Sequence, residues 1–231
     1  MSTDLSTIAA NMVSPSAHTR ICGAIDYFRF AERCDSFLLA YKNPDAADYT
    51  VIHRVGYSDS VASHLTGDLA SMPEFDEQFS RCHQVTDWID IPDFADSYSG
   101  AEVLQPEGFN NGFLMVLHDG NGRQVGMCQG NIERSHFTEH SKEILESMRP
   151  TFTDYVSKHH QRSSFRLTAR EQEILDLLRK GLSNSDIGAE LVLSTRTVST
   201  HVERILRKLG VTNRVAAAMR AAETFLPEAH S

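Results

Sequence analysis

Apolar residues recur along this chain at two periods, and the places where the period changes outline its elements. Over 18–33, Ile21, Ile25 and Phe28 stand at helical spacing. "CDSFLLAYKN" (34–43) and "YTVIHRVGY" (49–57) have the content of strands, with Asn43, Pro44 and Asp45 in the loop between them. "SDSVASHLTGDLASM" then returns to a helical pattern, with Ser58 placed to cap it. The clearest hairpin lies at 113–132. Two apolar runs flank "HDGNGR", where Asp-Gly and Asn-Gly provide the positive-φ positions of a tight turn. From 137 to 160 the pattern is a long helix with Ile144, Leu145, Met148, Phe152, Tyr155 and Val156 along one stripe, and Pro150 is expected to kink it. Helix, antiparallel strands, hairpin and closing helix together predict an α+β domain of ordinary size.

The texture changes at "SKHHQRSSFR" (157–166), a polar stretch that predicts a linker over 159–166 between a domain at 1–158 and another at 167–231. Beyond it every apolar period is helical. "TARE" (168–171) is a capping box, because the Thr168 hydroxyl can accept from the Glu171 amide while the Glu171 carboxylate reaches back. The helix it opens buries Ile174, Leu175, Leu177 and Leu178 and stops at Gly181. "SNSD" (183–186) caps a second, short helix through Ile187 and Leu191, and Ser194 caps a third. On that third helix Val198, Val202, Ile205, Leu206 and Leu209 share one face, while Arg196, Thr200, Glu203, Arg204 and Arg207 share the other. Gly210 ends it, and an alanine-rich fourth helix follows at 214–225. Four short helices with a tight turn between the second and third describe a helix-turn-helix unit.

Charge sharpens this division. The net charge of -9 is an average of unlike parts: residues 166–220 hold ten basic and six acidic residues, the remainder twelve and twenty-five, giving +4 against -13. A short basic module on an acidic body is the asymmetry of a chain of which one part meets a polyanion. No run approaches the roughly 18 apolar residues of a membrane helix, and no basic-then-apolar leader opens the chain. Cys22, Cys34, Cys82 and Cys128 lack the spacing of a zinc site or a disulfide framework. These features predict a cytoplasmic protein with reduced thiols, no membrane partner and no cofactor.

"LTAREQEILDLLRKGLSNSDIGAELVLSTRTVSTHVERILRKLGVTNRVAAAM" resembles the LuxR/FixJ/NarL-type DNA-binding domain, through Leu167, Thr168, Glu171, Gly181, Asn184, Ile187, Ser194, Thr197, Val198, His201, Lys208, Leu209 and Arg214 among others. The resemblance implies a third helix in the major groove, a fourth that supports dimerisation, and an ion pair between Arg214 and Glu171. It nominates Ser194, Thr195, Arg196, Thr197, Ser199, Thr200, His201, Glu203, Arg204, Arg207 and Lys208 as the DNA-contacting set. Two positions depart from the family: Ser199 and Glu203 stand where lysine is common. Serine discriminates little among bases, whereas glutamate can accept from cytosine, and Glu203 can alternatively pair with Arg207 one turn on. The N-terminal order of elements resembles the GAF/PAS-like sensor class over about residues 15–158, without a diagnostic motif.

The chain is therefore expected to be a bacterial regulator and not an enzyme. It would bind an operator in double-stranded DNA as a homodimer, with RNA polymerase as a further candidate partner. A phosphorylated receiver is disfavoured because its acidic set cannot be placed, and an acyl-homoserine-lactone sensor because the chain has one tryptophan. A small-molecule ligand of unknown identity would meet Trp88, Phe94 and Tyr98, unless these belong to the core. Two rivals remain: a module for protein interaction without a ligand, and a metal-dependent hydrolase targeted to DNA. The latter rests on "HFTEH" (136–140), which has the H-x-x-E-H pattern. Thr138, as a helix cap, would leave His136 off the turn that metal ligation needs.

Overall fold

A computed structural model describes residues 4–72, 82–132 and 138–224. The chain divides into two compact units, the first running to His160 and the second beginning at Gln161.

Two helices open the first unit, α1 (Leu5–Met12) and α2 (Ala17–Glu32), the second capped by the Ser16 hydroxyl on the Thr19 amide. The sheet follows: β1 (Cys34–Lys42), β2 (Tyr49–Val55), β3 (Thr86–Asp87), β4 (Gly112–His118) and β5 (Gln124–Ile132). All four pairings are antiparallel, in the order β2-β1-β5-β4-β3. The hairpin turn is held by Asp119, whose carboxylate accepts from the Asn121 and Arg123 amides. Between β2 and β3 the expected helix starts at Ser58 as α3 (Asp59–Ser63) and loosens into a π-helical turn at His64–Asp68.

Alternation along the central strands sends side chains to both faces. Phe37 and Phe113 meet Phe28 of α2 on one face, with ring centroids 5.6–6.1 Å apart, and Phe152 joins them. Leu38, Ala40, Leu114, Val116 and Met127 face the other way and pack with Val61, Leu65 and Leu104. An antiparallel sheet covered on both faces is the α+β architecture that the GAF/PAS-like resemblance implies. The closing helix α4 (Glu139–Ser164) lies against the first face, where its close approach requires Gly126. A Cβ there would stand 2.3 Å from Val156 Cγ1 and 2.3 Å from the Ala40 oxygen. Arg149 anchors the same helix by donating to the Val116 carbonyl and to both oxygens of Glu146, whose Oε1 also accepts from the Val85 amide.

The stretch read as linker and the start of the chain differ from the reading of the sequence here. α4 carries Pro150 inside a continuous helix and runs on to Ser164, through most of the stretch read as linker. Proline's missing donor removes one bond only, and Pro150 faces solvent. Helix α1 was not anticipated, because a single buried residue, Ile8, gives it too little apolar period to read.

The second unit is all-helical: α5 (Ala169–Arg179), α6 (Asn184–Leu191), α7 (Thr195–Leu209) and α8 (Arg214–Thr224). Its core is Ile174, Leu175, Leu178, Ile187, Val198, Ile205, Leu209, Ala217 and Ala221, with Phe165 at the edge.

Candidate nucleic-acid interface

Local chemistry sets each helix start of this unit. Thr168 and Glu171 form the capping box: the Thr168 hydroxyl accepts from the Glu171 amide at 3.3 Å, and Glu171 Oε2 accepts from the Thr168 amide at 2.9 Å. Ser183 and Asp186 repeat the device at α6, and the Ser194 hydroxyl accepts from the Thr197 amide at α7. The turn between α6 and α7 places Val192 in the left-handed region at φ 55°, 90% exposed, an unfavourable backbone for a β-branched residue. At the far end Gly210 takes φ 65° and stops α7.

These devices hold α7 with its apolar stripe inward, as its periodicity predicts. Val198, Ile205 and Leu209 are fully buried, and Val202 and Leu206 pack beside them. Outward stand Arg196, Thr200, Glu203, Arg204 and Arg207, all exposed, together with Thr195 and Thr197 in the first turn. The three arginines and Glu203 make no ion pair among the described residues, so the alternative pairing of Glu203 with Arg207 is not formed.

Two nominated residues, Lys208 and Ser199, have local roles. Lys208 is tied inward: its ammonium donates to Glu171 Oε2 at 2.5 Å and to the Arg166 carbonyl at 2.8 Å. Glu171 is almost wholly buried. Burial acts to raise its pKa, but the Lys208 and Thr168 hydrogen bonds outweigh that and leave it lowered. The ion pair expected between Glu171 and Arg214 is thereby corrected. Arg214 instead donates to the Leu182 carbonyl at 2.5 Å, and Lys208, the penultimate residue of α7, holds the carboxylate. Ser199 accepts from Asn184 Nδ2 and donates to the Thr195 carbonyl, both at 3.0 Å, bridging α6 and α7. His201 is half-buried, and its Nδ1 lacks a partner. Asn184 was not singled out from the sequence as part of this arrangement. Its capping-turn position was the available signal, but its reach to Ser199 depends on how two helices cross.

In the first unit, Trp88 and Phe94 are brought together, with ring centroids 4.8 Å apart, and pack on the core layer that holds Leu65 and Leu114. Tyr98 is separate: 65% exposed, with its ring edge against His64. His64 is buried and shares a 2.9 Å hydrogen bond with Ser99, a pair that no sequence pattern announced. Of "HFTEH", Glu139 and His140 are exposed in the first turn of α4, and Thr138 caps that helix on the Ser141 amide. His136 lies outside the described residues, and among the described residues no cluster of three metal-ligating side chains occurs.

A basic, solvent-facing helix mounted on a cross-braced helix-turn-helix defines a DNA-binding class of domain. Residues 166–221 match the GerE family, bacterial regulatory proteins of the luxR family. Among curated proteins, the transcriptional regulatory protein LiaR of Bacillus subtilis is 49% identical over 55 residues, 24% of this chain and 26% of LiaR. The transcriptional activator protein BjaR1 of Bradyrhizobium diazoefficiens is 28% identical over 153 residues, 62% of this chain and 63% of BjaR1. The chain thus spans about a quarter of one relative and under two thirds of the other. Among solved structures, Escherichia coli SdiA aligns over 95% of both chains with a TM-score of 0.44 and 18% identity.

Proposed function

We propose that this chain is a bacterial transcriptional regulator that binds an operator in double-stranded DNA through α7, as a homodimer, and receives a signal through its α+β unit. The observation that carries this reading is the set of exposed arginines, Arg196, Arg204 and Arg207, unneutralised on a helix whose opposite face is buried. Hydroxyls and amides at the start of α7, from Ser194, Thr195 and Thr197, supply phosphate contacts. Ser199 and Lys208 belong to the framework of the interface, and His201 stands at its edge. The working location of such a protein is the cytoplasm, where its DNA is, and RNA polymerase is the natural further partner.

Mobility shift against the DNA upstream of the protein's own coding region tests this. The Arg204→Ala/Arg207→Ala double variant is expected to bind more weakly, and its salt dependence to flatten by about 0.9 units of slope per lost phosphate contact. Unchanged affinity and slope would refute the docking face.

For the signal, the paired aromatics Trp88 and Phe94, and in the same unit the buried His64–Ser99 hydrogen bond, favour a small molecule with both apolar and polar groups. Tyr98, outward and apart from the pair, stands at the rim of such a site. A ligand acts here only by binding two arrangements of the chain with different affinity. Native mass spectrometry of the purified protein should show the ligand as a mass increment; the unadorned chain mass would favour an interaction module.

A further inference from the structure

Two imidazoles converge on one thiol in the first unit. Cys22 Sγ, on α2, lies 3.6 Å from His18 Nε2 one turn earlier and 3.6 Å from His53 Nδ1 on β2. His18 Nδ1 in turn lies 2.9 Å from the hydroxyl of Tyr155, on α4. The relay Tyr155–His18–Cys22–His53 therefore ties three elements together, with Tyr155 buried and the other three half-buried. Further titratable groups surround it. Asp26 and Arg29 of α2 act on His53 with opposite sign. From α4, the His159 ring centroid lies 4.8 Å from that of Tyr155, and Tyr41 of β1 stacks on His159 at 6.1 Å.

Each link of the relay takes one proton, and the hydroxyl and the thiol carry one each. With both imidazoles neutral every link is filled. Tyr155 donates to His18 Nδ1, His18 Nε2 to the sulfur and the thiol to His53 Nδ1, or each donor and acceptor reverses. A proton added to either ring is still accommodated, since the sulfur accepts from the charged ring and donates to the other. A second is not. Both rings would then donate to the sulfur, the thiol proton would have no acceptor in the relay, and two cations would stand with ring centroids 6.4 Å apart. Burial, with repulsion from His18 adding to it, already holds the pKa of His53 below its ordinary value despite the opposing pull of Asp26. The folded arrangement thus gains stability from neutral His53 above the ordinary histidine pKa of about 6.5, and loses it as pH falls through the lower folded value. We propose that this relay is an acid-sensitive latch, holding α2, β2 and α4 together while no more than one of His18 and His53 is protonated and releasing them when both are. α4 carries the chain out of the first unit, which runs to His160, and on to Ser164, so the latch acts on the element through which a change in that unit leaves it. The device lies wholly in the first unit and does not depend on α7 reading DNA.

The test uses the full-length chain and its His53→Gln and His18→Gln variants, from about pH 8 to about pH 5, the range that spans histidine titration. Glutamine keeps an acceptor for the thiol and takes up no proton. Histidine Cε1 proton shifts of wild type should show the two relay rings, each assigned by its loss in one variant, titrating in separate steps, with His53 at the lower pH. Urea unfolding can be followed by the fluorescence of Trp88, the one tryptophan and a residue of the first unit. Below about pH 6.5 the wild-type unfolding constant should rise more steeply than that of His53→Gln, by up to about tenfold per pH unit for one linked proton. Over the same range, amide protection in α2 and around Tyr155, corrected for intrinsic exchange, should fall in wild type and hold in the variants. Rings that titrate together at the ordinary value, or a pH dependence that wild type shares with both variants, overturn the latch. Should one variant fail to fold by circular dichroism at about pH 8, the wild-type ring titration, assigned through the other variant, decides alone.

Discussion

Lys208 illustrates how residue type and residue role separate. By composition it belongs with the cations of α7, and family resemblance placed it among the DNA contacts. By geometry it balances the buried carboxylate of Glu171 at 2.5 Å. Removing Lys208 leaves the buried Glu171 carboxylate with the Thr168 amide alone, and a buried acceptor that loses a partner costs about 1–3 kcal/mol. Lys208→Ala is accordingly expected to lower unfolding stability by roughly 1–2 kcal/mol in urea titration, whereas Arg204→Ala leaves stability nearly unchanged. The pair also sets a pH dependence. The folded pKa of Glu171 lies below its ordinary value, so its contribution is fully present above the unfolded pKa and is lost as pH falls through the folded one. Denaturant midpoints of Glu171→Gln should therefore decline less than wild type as pH is lowered through the carboxylate range. The capping box had marked Glu171 in the sequence, since Thr168 and Glu171 are three residues apart. Its pairing with Lys208, 37 residues away, depends on how α5 and α7 cross, which no local pattern encodes.

Elements in which one face is buried and the other wet were the most legible. α7 and the β4–β5 hairpin were read nearly whole, one from its apolar stripe and the other from Asp-Gly and Asn-Gly between two apolar runs. α4 was read in outline, yet its extension to Ser164 was not, because "QRSS" is polar and carries no stop signal as strong as glycine. The short segments between β2 and β4 were the least legible. The π-helical turn at His64–Asp68 and the longer one at Tyr98–Leu104 shift the side-chain period away from both helix and strand. Gly126 shows how an element's spacing can hang on one residue. Gly126→Ala is expected to destabilise the first unit by about 1–3 kcal/mol, because α4 and β1 leave no room for a methyl group. Thermal unfolding of the full chain measures it, and an unchanged midpoint would mean that α4 yields freely.

For the molecule as a whole, dimerisation is the property on which the proposed operator binding depends most, since two half-sites need two reading helices. On α8, Val215 and Met219 are 64% and 62% exposed and one turn apart, an apolar pair on the helix that we propose to support the dimer. Val215→Glu/Met219→Glu should shift sedimentation toward the monomer and weaken operator binding, while leaving the circular dichroism of the chain unchanged. The distribution of cations across the C-terminal unit has a further consequence, for covalent chemistry. The exposed cations of α7, on the face we propose to read DNA, are all guanidinium groups, and its ammonium is the one turned inward. Acetylation, which neutralises amines and spares arginine, would leave the exposed charge of α7 intact and strip the counter-ion from Glu171. A lysine-directed modification of this helix would register as unfolding before it registered as lost attraction to DNA.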